Sequence, residues 1–304
     1  MEENRGRLLV VATPLGNLED ITLRAIRVLR EVDLVASEDT RRTRKLLSSL
    51  GIGVRLLSCN EHNERERVGD ILEVLEKGRD AALVTDAGTP GVSDPGARLV
   101  REVRERGFTV LPVPGPSAVS SALSVSGMRA DAYHFAGFLP NARGDRRKAL
   151  ETLAGLLVPV VFFEAPHRIM DALRDMIDVL GDRNGFLARE MTKVHETYLF
   201  GRLSHILDEL RRSKRVRGEI TIIVEGSARK AGQERAVTKE VKDLLSVLLS
   251  GKRMGVKEAS TILSRLTGMK RGRINQAALE INNEINNETN SEMNSEINKG
   301  EEGV

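Results

Sequence analysis

Cysteine and tryptophan are nearly missing from this 304-residue chain, which has the single cysteine Cys59 and no tryptophan. One cysteine excludes an intramolecular disulfide framework and a cysteine-based zinc site, and it is typical of a reducing cytosol. Aromatic residues make up only 3% of the chain. The apolar run at 8–12 is too short for a signal sequence or a membrane span, and no later run is longer. We therefore expect a cytoplasmic protein.

Motifs that define several large enzyme classes are also missing. No glycine-rich stretch continues into the GK[ST] of a Walker A loop, and none has the GxGxxG spacing of a dinucleotide fingerprint. The five histidines, at positions 62, 134, 167, 195 and 205, show no HxH or HExxH spacing. We therefore expect no metal site.

The pattern of apolar residues predicts two α/β domains. Short apolar runs alternate with helical patterns through residues 1–115, which indicates an open parallel sheet with helices on both faces. The proline-rich stretch 112–117 is typical of a hinge, and Ser117 can cap the helix that follows. Strands are less regularly spaced in 116–226, which favours a mixed sheet.

The C-terminal quarter has a different character. Three short helical patterns in 234–281 predict a small helical region, either a nucleic-acid module or a cap on the second domain. Residues 282–304 repeat a four-residue unit rich in Asn and Glu, and Asn is a poor helix former. We expect a disordered, low-complexity tail there.

Three loops rich in glycine and proline follow predicted strands, at Thr13–Asn17, Thr85–Gly91 and Pro114–Ala118. Their backbone groups can hold a nucleoside with an amino-acid tail. Asp86 adds a carboxylate. It either accepts a hydrogen bond from a ribose hydroxyl or an amine of a ligand, or accepts one from the backbone of its own loop. Ser93 or Asp94 can cap the helix that begins after the middle loop.

Positive charge is concentrated in four clusters, although the net charge is only +3. The clusters lie at 41–45, 143–148, 211–217 and 270–273, whereas residues 281–304 carry a net −5. Each cluster alone is more typical of a solvated surface, but together they favour a polyanionic partner.

Several motifs together resemble one known family. They are EDTRRT (38–43), EHNE (61–64), LVTDAGTPGVSDPG (83–96), PVPGPSA (112–118), FFEAPHR (162–168), AREMTKVHE (188–196) and RGEITIIVEG (217–226). In their order and their amino-acid sequences these motifs are similar to those of the ribosomal RNA small-subunit methyltransferase I family. That family lies within the tetrapyrrole-methylase-like (class III) S-adenosylmethionine methyltransferases. Cys59 and Asn60 stand where that family usually has a Tyr-His pair.

The resemblance implies 2′-O-methylation of a cytidine (cytidine 1402) in 16S rRNA of the small ribosomal subunit, by a homodimer that holds S-adenosylmethionine between two α/β domains. It implies that the cofactor is bound by Thr13, Pro14, Asp86, Ala87, Gly88, Ser117, Ala118, Phe163, Glu164, Gly218 and Glu219. RNA phosphates would meet Arg41, Arg42, Arg44 and Arg189.

The chemistry needs the ribose hydroxyl to be positioned and then deprotonated. The candidate catalytic residues are Glu38, Asp39, Glu190, Lys193 and His195, and the sequence does not choose among them.

Two other functions stay open. One is a methyltransferase of the same fold that acts on a tetrapyrrole or another small molecule. The other is a noncatalytic RNA-binding protein with a degenerate cleft. The four basic clusters argue against the first alternative, because a small acidic substrate needs a single basic patch.

Overall fold

A computed structural model of the chain describes residues 5–213, 215–228, 237, 239–250, 254–267 and 269–301, with side chains described as far as residue 287. The chain divides into two compact units, Met1–Ser227 and Ala228–Val304. None of the helices in the described part of the chain combines the length and the apolar character needed to span a bilayer.

Strands and helices alternate through the first unit. Its strands are β1 (Arg7–Val11), β2 (Leu34–Ser37), β3 (Arg55–Ser58), β4 (Ala81–Val84), β5 (Thr109–Val113), β6 (His134–Phe138), β7 (Val160–Glu164), β8 (Asn184–Arg189), β9 (Thr197–Arg202) and β10 (Ile220–Val224). Its helices are α1 (Leu23–Glu31), α2 (Thr40–Ser49), α3 (Glu64–Glu76), α4 (Ala97–Glu105), α5 (Ala118–Val125), α6 (Arg143–Leu153), α7 (Ile169–Leu180) and α8 (Leu203–Arg212).

The first sheet is parallel, as the alternating pattern predicts, with strand order β3-β2-β4-β1-β5. Successive residues of a strand point to opposite faces. Leu8 therefore packs on the side of α3 and α4, whereas Leu9 packs on the side of α1 and α2. Because all five strands run the same way, the loops that follow them gather at one edge of the sheet.

The second sheet is mixed, which confirms that prediction. Its order is β6-β7-β10-β8-β9, and only the pair β6–β7 is parallel. Helices α6, α7 and α8 cover one face, and α5 covers the other through Val119, Ala122 and Leu123. Both sheets belong to one compact unit, so the division of this unit near residue 115 stays a prediction.

The described residues of the second unit form α9 (Lys239–Ser250), α10 (Val256–Thr267) and α11 (Arg271–Glu301), and the predicted start of this region at 234 lies outside the described residues. The three helices pack around Leu245, Leu263 and Ile274. Helix α11 continues through the repeat to Glu301, where the composition predicts a disordered tail. Ile281 and Ile285, four residues apart, lie on one stripe that packs against this core, and the disorder expected of 282–304 stays a prediction.

Candidate active site between the two sheets

A cavity of about 380 Å³, here called the inter-sheet cavity, lies within the first unit where loops from both sheets meet. The loop after β4 forms one wall, and the residues around the end of β7 and the start of β10 form the opposite wall. The N-terminus of α5 closes it between them. A cavity of this size falls in the range of small-molecule sites.

Nine of the eleven residues predicted to bind the cofactor line this cavity. They come from four separate stretches of the chain and are Asp86, Ala87, Gly88, Ser117, Ala118, Phe163, Glu164, Gly218 and Glu219. Ser117 is the N-cap of α5, but its side chain makes no capping hydrogen bond, so its hydroxyl can serve a ligand.

Thr13 and Pro14 are not among the lining residues, in contrast to the expectation that they line the cleft. The Thr13 hydroxyl instead donates to the carbonyl oxygen of Thr85 over 3.0 Å, and the Thr13 and Gly88 backbones exchange two hydrogen bonds of 2.9 and 3.0 Å. The first loop therefore supports the middle loop from behind. Gly88 has φ +84°, which favours glycine at this close approach.

Three carboxylates surround Thr85 at one end of the inter-sheet cavity. The Thr85 hydroxyl donates to Glu38 over 3.2 Å, and Asp86 accepts from the backbone N–H of Asp39 over 3.2 Å. Burial, followed by the nearby Asp86 charge, raises the pKa of Glu38, and burial likewise raises the pKa of Asp86. Burial raises the pKa of Asp94 to about 6.

Asp94 is a site residue that sequence reasoning missed. The prediction that Ser93 or Asp94 caps α4 is wrong, because α4 begins at Ala97 with Gly96 as its N-cap. Ser93 has φ +62°, and this turn leaves the Asp94 carboxylate lining the cavity. An acidic residue inside the same glycine-rich loop as Asp86 was the signal available in the sequence.

Glu164 presents a buried acceptor at the opposite wall. The side chain of Arg168 contacts Glu164 Oε1 at 2.5 Å, and the Ala165 backbone N–H donates to the same oxygen over 2.8 Å. Glu164 Oε2 is buried without a partner among the described residues. A buried acceptor without a partner is costly, so this oxygen is suited to a ligand that donates a hydrogen bond.

The rest of the lining combines apolar surface with negative charge. Phe138 and Phe163 meet edge to face with their ring centres 5.6 Å apart, beside Val92 and Val119. Five carboxylates line the cavity, and none of its described lining residues is a lysine, arginine or histidine. The cavity is therefore suited to a ligand with a flat apolar part and a positive charge.

The predicted catalytic pair Glu190 and Lys193 forms an ion network at the cavity's edge. Lys193 Nζ lies 2.8 Å from Glu190 and 3.2 Å from Glu219, and Glu190 also accepts from the Glu219 backbone N–H. Burial opposes these contacts, but they outweigh it, so the pKa of Glu190 is lowered and that of Lys193 is raised. Both groups stay charged at neutral pH, which favours a structural role over proton removal.

The other candidate catalytic residues differ in their surroundings. Asp39 caps α2, and its carboxylate accepts from the Arg41 N–H over 2.8 Å. This hydrogen bond lowers the pKa of Asp39. His195 is exposed and lies outside the lining of the inter-sheet cavity.

The predicted RNA contacts are concentrated on α2. Arg41 and Arg44 are exposed, and the side chain of Arg41 is 85% accessible. Arg42 Nη1 lies 3.2 Å from Asp86 Oδ2, so Arg42 links α2 to the inter-sheet cavity. Arg189, on β8, donates to the hydroxyl of Thr197 over 3.0 Å.

A second cavity, of about 560 Å³ and here called the α2 cavity, lies beside the first. Its lining is mostly polar and comprises Glu38, Asp39, Thr40, Arg41, Ser58, Asn60, Glu61, His62, Ser93 and Pro95. Glu38 and Ser93 line both cavities.

The fold and the position of the inter-sheet cavity define a class of protein. A family model described as Tetrapyrrole (Corrin/Porphyrin) Methylases matches residues 7–207. The structure is similar to that of uroporphyrin-III-C-methyltransferase from Thermus thermophilus, with a TM-score of 0.51 and 17% identity over 73% of this chain and 95% of that one. It is also similar to that of a cobalt precorrin-4 methyltransferase, with a TM-score of 0.56 and 17% identity over 72% of this chain and 94% of that one. This likeness shows the tetrapyrrole methylase fold.

Curated relatives define the family more narrowly. The three that follow are all named ribosomal RNA small subunit methyltransferase I. The Thermotoga maritima protein is 47% identical over 221 residues, which are 73% of this chain and 99% of that protein. The Pseudomonas aeruginosa protein is 42% identical over 90% of this chain and 97% of its own length. The Escherichia coli O157:H7 protein is 40% identical over 92% of this chain and 96% of its own length. The chain therefore belongs to the ribosomal RNA small subunit methyltransferase I family, as its motifs predict.

Proposed function

We propose that this protein transfers a methyl group from S-adenosylmethionine to the 16S RNA of the small ribosomal subunit. The names of its relatives support the substrate, and the inter-sheet cavity supports the donor. The observation that carries the proposal is a lining that combines aromatic and aliphatic surface with five carboxylates and has no lysine, arginine or histidine among its described residues, because the donor has a flat adenine and a positive sulfonium.

The lining residues fit the parts of this donor. Phe138 and Phe163 offer apolar surface for adenine, and Asp86 can accept from the ribose hydroxyls or the amino group. Glu164 Oε2 can accept a further hydrogen bond, and the free N–H groups at the start of α5 suit the carboxylate. The bound donor supplies an electrophilic methyl group.

We further propose that the acceptor is the 2′-oxygen of cytidine 1402. Arg41 and Arg44 on α2, and Arg189 at the end of β8, contact backbone phosphates in this proposal. The partners are the small ribosomal subunit and a second copy of this chain, and such a substrate implies a cytoplasmic enzyme. The exposed Tyr198 and Phe200 on the edge strand β9 support the homodimer, because they leave apolar surface for another copy to cover.

The test is methyl transfer from radiolabelled donor to purified small subunits, followed by mapping of the label to ribose or base. We expect ribose label in the 16S RNA. Label only on an added tetrapyrrole would favour the small-molecule alternative, and no binding of S-adenosylhomocysteine at millimolar concentration would favour a noncatalytic RNA-binding protein.

Asp86→Ala separates donor binding from RNA binding. The variant loses an acceptor that lines the inter-sheet cavity, so we expect affinity for S-adenosylhomocysteine to fall about 10- to 100-fold, as calorimetry would show. Affinity for RNA should change much less. Equal loss of both would contradict the assignment of this loop to the donor.

A further inference from the structure

Glu38 separates the two cavities of the first unit. It lines the inter-sheet cavity on one side and the α2 cavity on the other. Among the described residues it is the one carboxylate that faces both, since Asp86 and Asp94 line only the first and Asp39 and Glu61 only the second. An acceptor hydroxyl must approach the donor methyl where the two cavities adjoin, and a base that takes its proton must lie at that boundary, as Glu38 does.

The α2 cavity has the chemistry of a nucleotide site. The amide of Asn60 and the imidazole of His62 can pair with a base edge or a ribose, and Arg41 beside them can meet a phosphate. His62 is exposed, and its ring makes no hydrogen bond among the described residues. Asn60 Oδ1 accepts from the His62 and Asn63 backbones, which fixes the loop that carries these side chains.

We propose, resting on the proposed function, that the α2 cavity receives a single nucleotide turned out of an unpaired RNA strand, and that Glu38 takes the proton from its attacking hydroxyl. Sequence-specific RNA recognition mostly uses unpaired nucleotides whose bases are splayed out, and the shared wall brings the ribose of such a nucleotide next to the donor.

The step balances without a further reactant. As the hydroxyl oxygen forms a bond to the methyl carbon, the carbon–sulfur bond breaks and its electron pair stays on sulfur, which becomes neutral. Glu38 accepts the hydroxyl proton and returns it to water after the methylated RNA leaves. The products are therefore a methyl ether and a neutral thioether.

The surroundings of Glu38 suit it for this task better than those of the other candidates. Asp39 is occupied as the cap of α2, and Asp86 contacts Arg42 and the Asp39 N–H. Glu38 has one neutral partner, the hydroxyl of Thr85, and partial burial keeps its pKa raised. The charged groups that face it are Asp86 and Asp94 from the loop after β4, and Asp39 and Arg42 from the start of α2.

The first experiment compares the full-length protein with Glu38→Gln. Single-turnover methylation of small subunits should fall about 100-fold or more, the range for loss of a general base. Affinity for S-adenosylhomocysteine and for the small subunit should stay within about threefold, because the amide preserves size and the hydrogen bond to Thr85. The rise of the wild-type rate with pH should flatten in this variant, a change that loss of packing alone does not produce.

The second experiment blocks the α2 cavity from its rim. Glu61 is exposed and lines this cavity alone, so Glu61→Trp should obstruct it and abolish methylation while donor affinity is retained. Arg65→Trp, on the exposed surface of α3 outside the cavity, is the matched control for a surface tryptophan.

The results separate this inference from the proposed function. If the wild-type protein fails to methylate small subunits while binding the donor, the proposed function is wrong. If wild type is active and Glu38→Gln or Glu61→Trp stays within threefold of it, the acceptor site lies elsewhere. A parallel loss of donor affinity in Glu38→Gln would assign Glu38 to donor binding and overturn its role as the base.

Discussion

The charge of the Asp94 carboxylate, and with it the charge of the inter-sheet cavity, changes with pH. Its pKa of about 6 means that it is mostly protonated at pH 5 and mostly ionised at pH 7. A cation bound nearby favours the ionised form, so cation binding releases a proton from Asp94. Affinity for a positively charged ligand therefore rises with pH across this window.

S-adenosylmethionine carries a methyl group and a positive charge on sulfur that S-adenosylhomocysteine lacks. Comparing the two ligands therefore tests whether affinity for the positive charge depends on pH. We expect the ratio of their affinities to increase about three- to tenfold in favour of the sulfonium between pH 5 and pH 7, measured by calorimetry. Asp94→Asn should flatten the change, whereas Asp171→Asn, on the exposed side of α7, should not. An unchanged pH profile in Asp94→Asn would place the sulfonium away from this end of the cavity.

Gly218 has no room for a side chain. Its φ is +88°, and an added Cβ would lie 2.2 Å from the carboxyl carbon of Glu190. We expect Gly218→Ala to cost at least about 1 kcal/mol in the free energy of unfolding, from backbone strain alone, and to weaken donor binding because Glu219 moves with it. Thermal unfolding with and without S-adenosylhomocysteine measures both effects.

Gly144→Ala is the control for that substitution. Gly144 lies in α6 with nothing within 4 Å of an added Cβ, so alanine there should be neutral or slightly stabilising. Gly218→Ala with wild-type stability would mean that Glu190 yields without cost and does not fix this corner of the cavity.

Motifs in the sequence predict most individual site residues, but their roles depend on contacts between distant stretches. Asp86 and Ser117 lie in loops whose composition already indicates ligand binding. The support of Gly88 by Thr13 joins positions 75 residues apart in the chain, and no local pattern encodes it. The helix-cap rule gave the wrong assignment to Asp94, because the left-handed turn at Ser93 displaces the start of α4.

Helix α2 serves both cavities through different faces. Arg42 contacts Asp86 of the inter-sheet cavity, whereas Arg41 lines the α2 cavity and Arg44 is exposed. Buried Thr43 and Leu47 fix the orientation of the helix against the first sheet. Its arginines should therefore differ in what they bind.

Charge reversal along α2 tests this division. Arg41→Glu and Arg44→Glu should weaken RNA binding and lower the slope of log affinity against log salt by about 0.7 for each lost phosphate contact. Arg42→Glu should in addition weaken binding of S-adenosylhomocysteine, since it places a carboxylate beside Asp86. Arg101→Glu, on the exposed surface of α4, is the control. Equal effects of all four substitutions would indicate only a general loss of positive charge.

Element order could be predicted from sequence because each element carries its own periodic signal. The five strands of the first sheet appear as apolar runs, and their parallel order follows from the helices between them. The helical conformation of α11 in the Asn-rich repeat is not predictable in the same way. Asn has a low helix propensity, and the packing of Ile281 and Ile285 on other helices is a tertiary contact.

The molecule as a whole consists of a unit that holds both cavities and a separate helical unit. The Thermotoga maritima relative aligns over 99% of its length with only 221 residues of this chain, so it has no room for both units. This relative therefore matches about the length of the first unit alone.

Truncation after Ser227 gives a test at this level. We expect the truncated protein to unfold cooperatively and to bind S-adenosylhomocysteine within about threefold of the full chain, because every lining residue of both cavities is retained. RNA affinity should fall, since the basic stretch 270–273 is removed. Unchanged RNA affinity would favour the helical unit as a structural cap, and loss of donor binding would show that the first unit does not fold alone.

Two contacts join the loop after β1 to the loop after β8 at the edge of the inter-sheet cavity. The Asn17 backbone N–H donates to the Thr192 hydroxyl over 3.1 Å, and the Lys193 side chain lies against Gly16, where an added Cβ would be 2.2 Å from Lys193 Cγ. A wide separation of the two sheets at this edge of the inter-sheet cavity must therefore break both contacts. Hydrogen exchange at the Asn17 amide would report how often the first of these contacts opens, and a bound ligand that touches both sheets should slow that exchange.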